Sequence, residues 1–165
     1  MKKTVVFAAS LLLSATLALP AFARDFEKGA IKIEQPWTRA TPGGAKVGGG
    51  FMKITNTGKT ADRLVAVKTD VSGVAEIHEM KMVDGVMKMR ALGTGVAIKP
   101  GQTVELRPGG YHLMFMDLKK PIVKEKPVKA TLVFETAGEV EVEFVVAPVG
   151  AKSPSGGGGH DHHKH

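Results

Sequence analysis

Apolar and polar residues alternate in short runs from Ile31 to Val146, and turn residues interrupt them at close intervals. Segments 131–135 and 141–145 show the period of two most clearly. That period places side chains alternately on the two faces of a half-buried strand. The pattern predicts strands over 31–37, 50–55, 63–69, 74–82, 86–89, 96–98, 103–106, 112–118, 128–134 and 140–146. Between them stand Thr41-Pro42-Gly43-Gly44, Asn56-Thr57-Gly58, Asp84-Gly85, Lys99-Pro100-Gly101, Pro108-Gly109-Gly110 and Ala137-Gly138, all turn signals. No long segment carries a 3.6-residue period, and no internal repeat is visible. The expected fold class is therefore all-β, a Greek-key sandwich or barrel. Residues 24–30 read as a short leader.

The two ends read differently from this middle. Lys2 and Lys3 precede the uncharged apolar stretch 5–19, and Ala21-Phe22-Ala23 closes it with a small-residue cleavage pattern. This is the signature of a secretory signal peptide cut after Ala23. Of 165 residues, 142 then remain, enough for one domain over 24–150 with its own core. From Ala151 the chain turns to Lys152-Ser153-Pro154-Ser155 and four glycines, then ends in His160-Asp161-His162-His163-Lys164-His165. By composition, 151–165 is a flexible, disordered tail. Its interrupted histidine order differs from the plain run of an affinity tag and reads as native.

Charge changes the picture little. The formal net charge is +7, two units of which belong to Lys2 and Lys3. Basic residues are scattered among acidic ones, with no basic run interleaved with aromatics, which argues against nucleic acid. A modest positive excess favours acidic partners or peripheral contact with an anionic membrane surface.

Cysteine changes it more. The count is zero, which excludes disulfide staples, thiol redox chemistry and thiolate metal sites in this chain. A soft-metal site must then use thioether and imidazole. The six histidines fall into two groups, His78 with His112 and the four of the tail. Six of the eight methionines accompany the first group: Met80, Met82, Met87, Met89, Met114 and Met116.

Val83-Asp84-Gly85-Val86 reads as a hairpin with a two-residue turn. In that register Met82 faces Met87, Met80 faces Met89, and His78 lies diagonal to Met89. His78, Met80, Met82, Met87 and Met89 share one face, while Glu79, Lys81, Lys88 and Arg90 share the other. His112 and Met114, two residues apart, also share a face, and Met116 extends the row. If the two segments lie side by side, they form a two-histidine, two-methionine site. Such neutral, polarisable donors suit Cu(I), whereas Mg²⁺ and Ca²⁺ require oxygen. Against this stands the ordinary use of methionine as core filler and of histidine as a hydrogen-bonded structural residue.

The run from His78 to Arg90, then Lys99-Pro100-Gly101, then Leu106 to Leu118 resembles the periplasmic copper chaperones of the PCuAC family. The stretch from Trp37 to Asn56 matches that family's opening strands, so the resemblance spans about residues 31–148. It implies a cupredoxin-like β-sandwich in the periplasm with Cu(I) held by His78, Met89, His112 and Met114. Met80, opposite Met89, is the substitute if the hairpin register differs. It also implies delivery of copper to proteins that assemble the copper centres of cytochrome c oxidase. His160, His162, His163 and His165 resemble the Cu(II)-binding extension of some members. Twenty-two residues separate Met89 from His112, one more than the family pattern, and the extra residue is assigned to 93–101.

The expected function is a metallochaperone, not an enzyme, with copper as cargo and a monomeric state. A copper-buffering or resistance protein without a dedicated acceptor is the alternative. A blue-copper electron carrier needs a cysteine ligand, which this chain lacks. His78-Glu79 has no second histidine at metalloprotease spacing, the glycine runs are too short for a phosphate loop, and no serine has triad partners.

Overall fold

A computed structural model describes residues 24–155. The assigned signal peptide and His160–His165 lie outside the described residues. Eleven strands run in the order β1 (Phe26–Lys28), β2 (Ile31–Arg39), β3 (Val47–Asn56), β4 (Asp62–Thr69), β5 (Ser72–Val83), β6 (Val86–Ala91), β7 (Val96–Ile98), β8 (Thr103–Leu106), β9 (Tyr111–Leu118), β10 (Val128–Phe134) and β11 (Gly138–Ala147). The described residues contain no helix. The fold is all-β and cupredoxin-like, as expected.

Hydrogen-bonded neighbours follow the path β6-β5-β9-β8-β3-β2-β11-β10-β4-β7, with β1 added to β2 and a further pairing of β9 with β3. β11 joins the two layers. Its first part pairs antiparallel with β10 from Gly138 to Phe144, and its last residues Val145–Ala147 run parallel to β2. Between the layers lie Ile33, Ile54, Leu64, Ile98, Leu113, Phe115, Leu132 and Phe144, none of which reaches solvent. With no disulfide, this apolar burial is the dominant stabilising term.

Two differences from the sequence reading have clear causes. Phe26–Lys28, read as leader, pairs with Ile31–Ile33 across a two-residue turn. β3 begins at Val47 rather than Gly50, because Gly48, Gly49 and Gly50 continue the strand. Glycine is a poor strand former in isolation, but here the missing side chains make room. A Cβ on Gly50 would stand 2.9 Å from the Phe115 ring, and one on Gly48 2.9 Å from Ile122 Cδ1.

A bulge in β2 shapes the outer face. Glu34 pairs with Lys53 but Trp37 pairs with Phe51, and Gln35 between them takes φ 49°. Pro36 lacks the N–H that a regular ladder needs there. The slipped residue turns Trp37 out of the central core, and it packs on Phe51 with ring centroids 4.5 Å apart. Ala147 and Ala151 complete this second apolar cluster. Ala151, placed in the tail by composition, is thus buried, and its carbonyl accepts a 2.7 Å hydrogen bond from Arg39 Nε.

Candidate metal site

The hairpin of β5 and β6 has the expected register: Met80 opposite Met89, Met82 opposite Met87, Val83 opposite Val86. Asp84 and Gly85 both have positive φ, 52° and 77°, as a type I′ turn requires. Asp tolerates that region and Gly favours it, so the dipeptide sets the pairing of the whole hairpin.

On its other edge β5 pairs antiparallel with β9, and His78 is directly opposite His112. Met114 lies opposite Glu76, and Ala91 of β6 lies opposite His78, which puts Met89 diagonal to it. Strand alternation therefore gathers Glu76, His78, Met80, Met89, His112 and Met114 on one sheet face. Their neighbours Ile77, Leu113 and Phe115 enter the core, so this is the outer face of the sandwich.

The imidazole rings of His78 and His112 are 5.9 Å apart between centroids, inclined at 48°. A metal–nitrogen bond of about 2.0–2.1 Å puts a ring centroid roughly 3 Å from the ion. Two rings sharing one ion then stand up to about 6 Å apart, and the observed separation fits. His78 is buried, whereas His112 and Met114 are half-buried and Met89 is exposed. The site thus has an inner histidine and an open methionine side.

Each histidine is held by a second group. His112 Nδ1 donates to the Gly110 carbonyl at 3.0 Å, leaving Nε2 as the nitrogen with a free lone pair. His78 Nε2 pairs with Glu76 Oε2 at 2.8 Å. Its Nδ1 is buried without a hydrogen-bond partner. An unpartnered buried nitrogen is costly unless something binds it, and a metal ion would satisfy it. Glu76 and the Gly110 carbonyl escaped sequence reasoning. The one available signal was spacing, since Glu76 and His78 stand two apart on one strand.

Replacing Glu76 by alanine is expected to weaken copper binding about 10–100-fold, the usual effect of losing a carboxylate that orients a histidine ligand. A chelator competition assay measures it. Unchanged affinity would mean that the carboxylate plays no part in presenting His78.

The methionines are distributed unlike core filler. Among the described residues only Met52 of the methionines is fully buried, while Met82, Met87 and Met89 are 56 %, 44 % and 48 % exposed. The opposite hairpin face is charged. Arg90 donates to Glu79 Oε2 through Nε and a terminal nitrogen at 2.9 and 2.7 Å. That guanidinium, helped by Tyr111, holds the Glu79 carboxyl below its ordinary range. The pair therefore supports the hairpin above the usual carboxylate pKa and is lost as pH falls through the lowered one.

Residues 31–146 match the family described as "Putative lipoprotein LpqE-like". The chain belongs to the LpqE-like family. A relative from Leifsonia xyli subsp. xyli, "Putative lipoprotein Lxx21020", is 30% identical over 118 residues, which is 70% of each chain. Among solved structures, the apo PCuAC domain from PmoF1 is 34% identical, with a TM-score of 0.64 over 74% of this chain and 98% of that one. The copper-bound PCuAC domain from PmoF2 is 29% identical, with a TM-score of 0.63 over 74% and 97%. The resemblance read from the motifs thus holds across the LpqE-like domain.

Proposed function

We propose that this protein is a copper metallochaperone of the cell envelope, exported to the periplasm behind a signal peptide formed by residues 1–23. One Cu(I) is held between His78, Met89, His112 and Met114, with Met80 as the nearest substitute for Met89. The observation that carries this reading is the direct cross-strand pairing of His78 with His112, with one methionine beside each. The similar PmoF2 domain, which is copper-bound, lends it support.

Two imidazoles and two thioethers are neutral, so the bound ion keeps its single charge. Thioethers are weak, soft donors that hold Cu(I) and disfavour Cu(II). Exposed Met89 and half-buried His112 and Met114 on an outer sheet face leave a side open for an acceptor's ligands, so copper can pass by stepwise exchange without unfolding. The acceptors in this reading are proteins that assemble the copper centres of cytochrome c oxidase. The chaperone acts as a monomer.

The tail supplies a second copper site through His160, His162, His163 and His165, suited to Cu(II). Lys152, Ser153 and Pro154 line a groove with Arg107 and Pro108, beside the turn whose Gly110 carbonyl holds His112. The five peptide steps from Ser155 to His160 span at most about 17 Å. That length, starting beside the His112 turn, favours exchange between tail and core.

Titration with Cu(I) against a competing chelator tests the core, run beside a variant in which the four tail histidines are alanine. The variant is expected to keep one tightly held Cu(I) and to lose Cu(II) binding. A variant that holds no Cu(I) would end the core-site reading. For delivery, loss of the gene should lower oxidase activity, with added copper restoring it; copper sensitivity with normal oxidase would indicate buffering instead.

A further inference from the structure

The outer half of the hairpin holds three methionines that the four-ligand site does not use. Met80 and Met82 alternate onto one face of β5, and Met87 stands directly opposite Met82 and diagonal to Met80. Directly opposed Cβ atoms are about 4.5–5.5 Å apart, and diagonal ones somewhat farther. Each side chain adds three rotatable bonds and ends in a soft sulfur. Three thioethers from this patch can therefore converge on one point above the sheet.

Burial does not explain their presence. All six residues of β6 are exposed, and Met82 and Met87 are about half exposed. They fill no core, and the turn needs only Asp84 and Gly85. The flanking charges also do not reach this face. Lys81 and Lys88 oppose one another, and they project to the other side with Glu79 and Arg90.

We propose that Met80, Met82 and Met87 form a second soft-metal site, an all-thioether seat for one monovalent ion such as Cu(I) or Ag(I). It lies one strand repeat outward from the Met89–His78 corner, and it shares no ligand with the four-residue site. With no imidazole and with open access, it binds more weakly and fills second. Divalent and hard ions are excluded, because three neutral sulfurs offer them neither charge nor oxygen. The ion keeps its oxidation state throughout.

The test uses the protein with ¹³C-labelled methionine methyls, titrated with Ag(I), which needs no reductant. The four tail histidines are replaced by alanine, because imidazole also takes up Ag(I), and the tail contains no methionine to report. The expected result is two steps. Met89 and Met114 methyls shift with the first equivalent, and Met80, Met82 and Met87 shift together with the second.

A double variant, Met82→Leu with Met87→Leu, conserves volume and apolarity and should abolish the second step for Met80 while leaving the first intact. A His112→Ala, Met114→Ala variant should lose the first step and keep the Met80, Met82 and Met87 response, which separates failure of this site from failure of the core reading. Two outcomes would overturn the proposal. In one, the three methyls stay unmoved throughout; in the other, they move only in step with Met114.

Discussion

Substituting alanine for both His112 and Met114 is expected to lower Cu(I) affinity by at least about a thousandfold, roughly 4 kcal/mol of binding free energy. Losing an outer carboxylate alone costs about 10–100-fold, and this change removes two of the four proposed donors. Both side chains lie on the outer sheet face and are half-buried, so the sandwich should stay folded. The strand's own packing comes from Leu113 and Phe115, which are untouched. Chelator competition reads the affinity, and far-ultraviolet circular dichroism reads the fold. If the affinity barely moves, His112 and Met114 are not ligands.

The second large effect is on stability. Phe115 has no solvent exposure and meets Phe144 edge-to-face, with ring centroids 6.0 Å apart. It also fills the space left by the missing side chain of Gly50. Phe115→Ala should therefore open a cavity that β3 and β9 cannot close, at a cost of about 3–5 kcal/mol. Urea unfolding would show a lower midpoint at nearly constant slope. Because Phe115 adjoins Met114, any loss of copper affinity in this variant must be compared with its folded fraction. A cost below about 1 kcal/mol would mean the aromatic pair contributes little.

These two residues are neighbours in sequence and opposite in consequence, because one strand sends Met114 to solvent and Phe115 to the core. That division was legible in the sequence. Alternation marks the faces of β9, and Asp84-Gly85 fixes the hairpin, so the rungs Met80–Met89 and Met82–Met87 follow from local chemistry alone. The pairing of β5 with β9 was not legible in the same way. It joins residues far apart in the chain, and nothing in 72–83 states which strand lies on its free edge. Only the resemblance of motifs brought His112 to His78, and the register that makes them direct partners came from the structure.

Other misreadings share a cause. Gly48–Gly50 lack intrinsic strand preference, and their reason for being in β3 is the bulk of Phe115, Phe51 and Ile122 around them. Glu76 looks like an ordinary polar position on a solvated strand face until His78 is seen to bond it. Ala151 follows a proline and a glycine and precedes a linker-like run, yet it closes over Trp37, which only the bulge at Gln35 had turned outward. In each instance the deciding partner is remote in sequence.

On the proposed ligand set, the direct pairing of His78 with His112 would also couple cargo to folding. Thirty-three residues intervene between them, and an unfolded chain rarely brings the two together, so an ion bridging them selects the native state. Ligand at a thousand times its dissociation constant then adds about 4 kcal/mol to stability, comparable to the whole loss expected from Phe115→Ala. Loaded and empty protein would differ in resistance to proteolysis and heat, and release of copper to an acceptor would leave behind a chain that opens more readily.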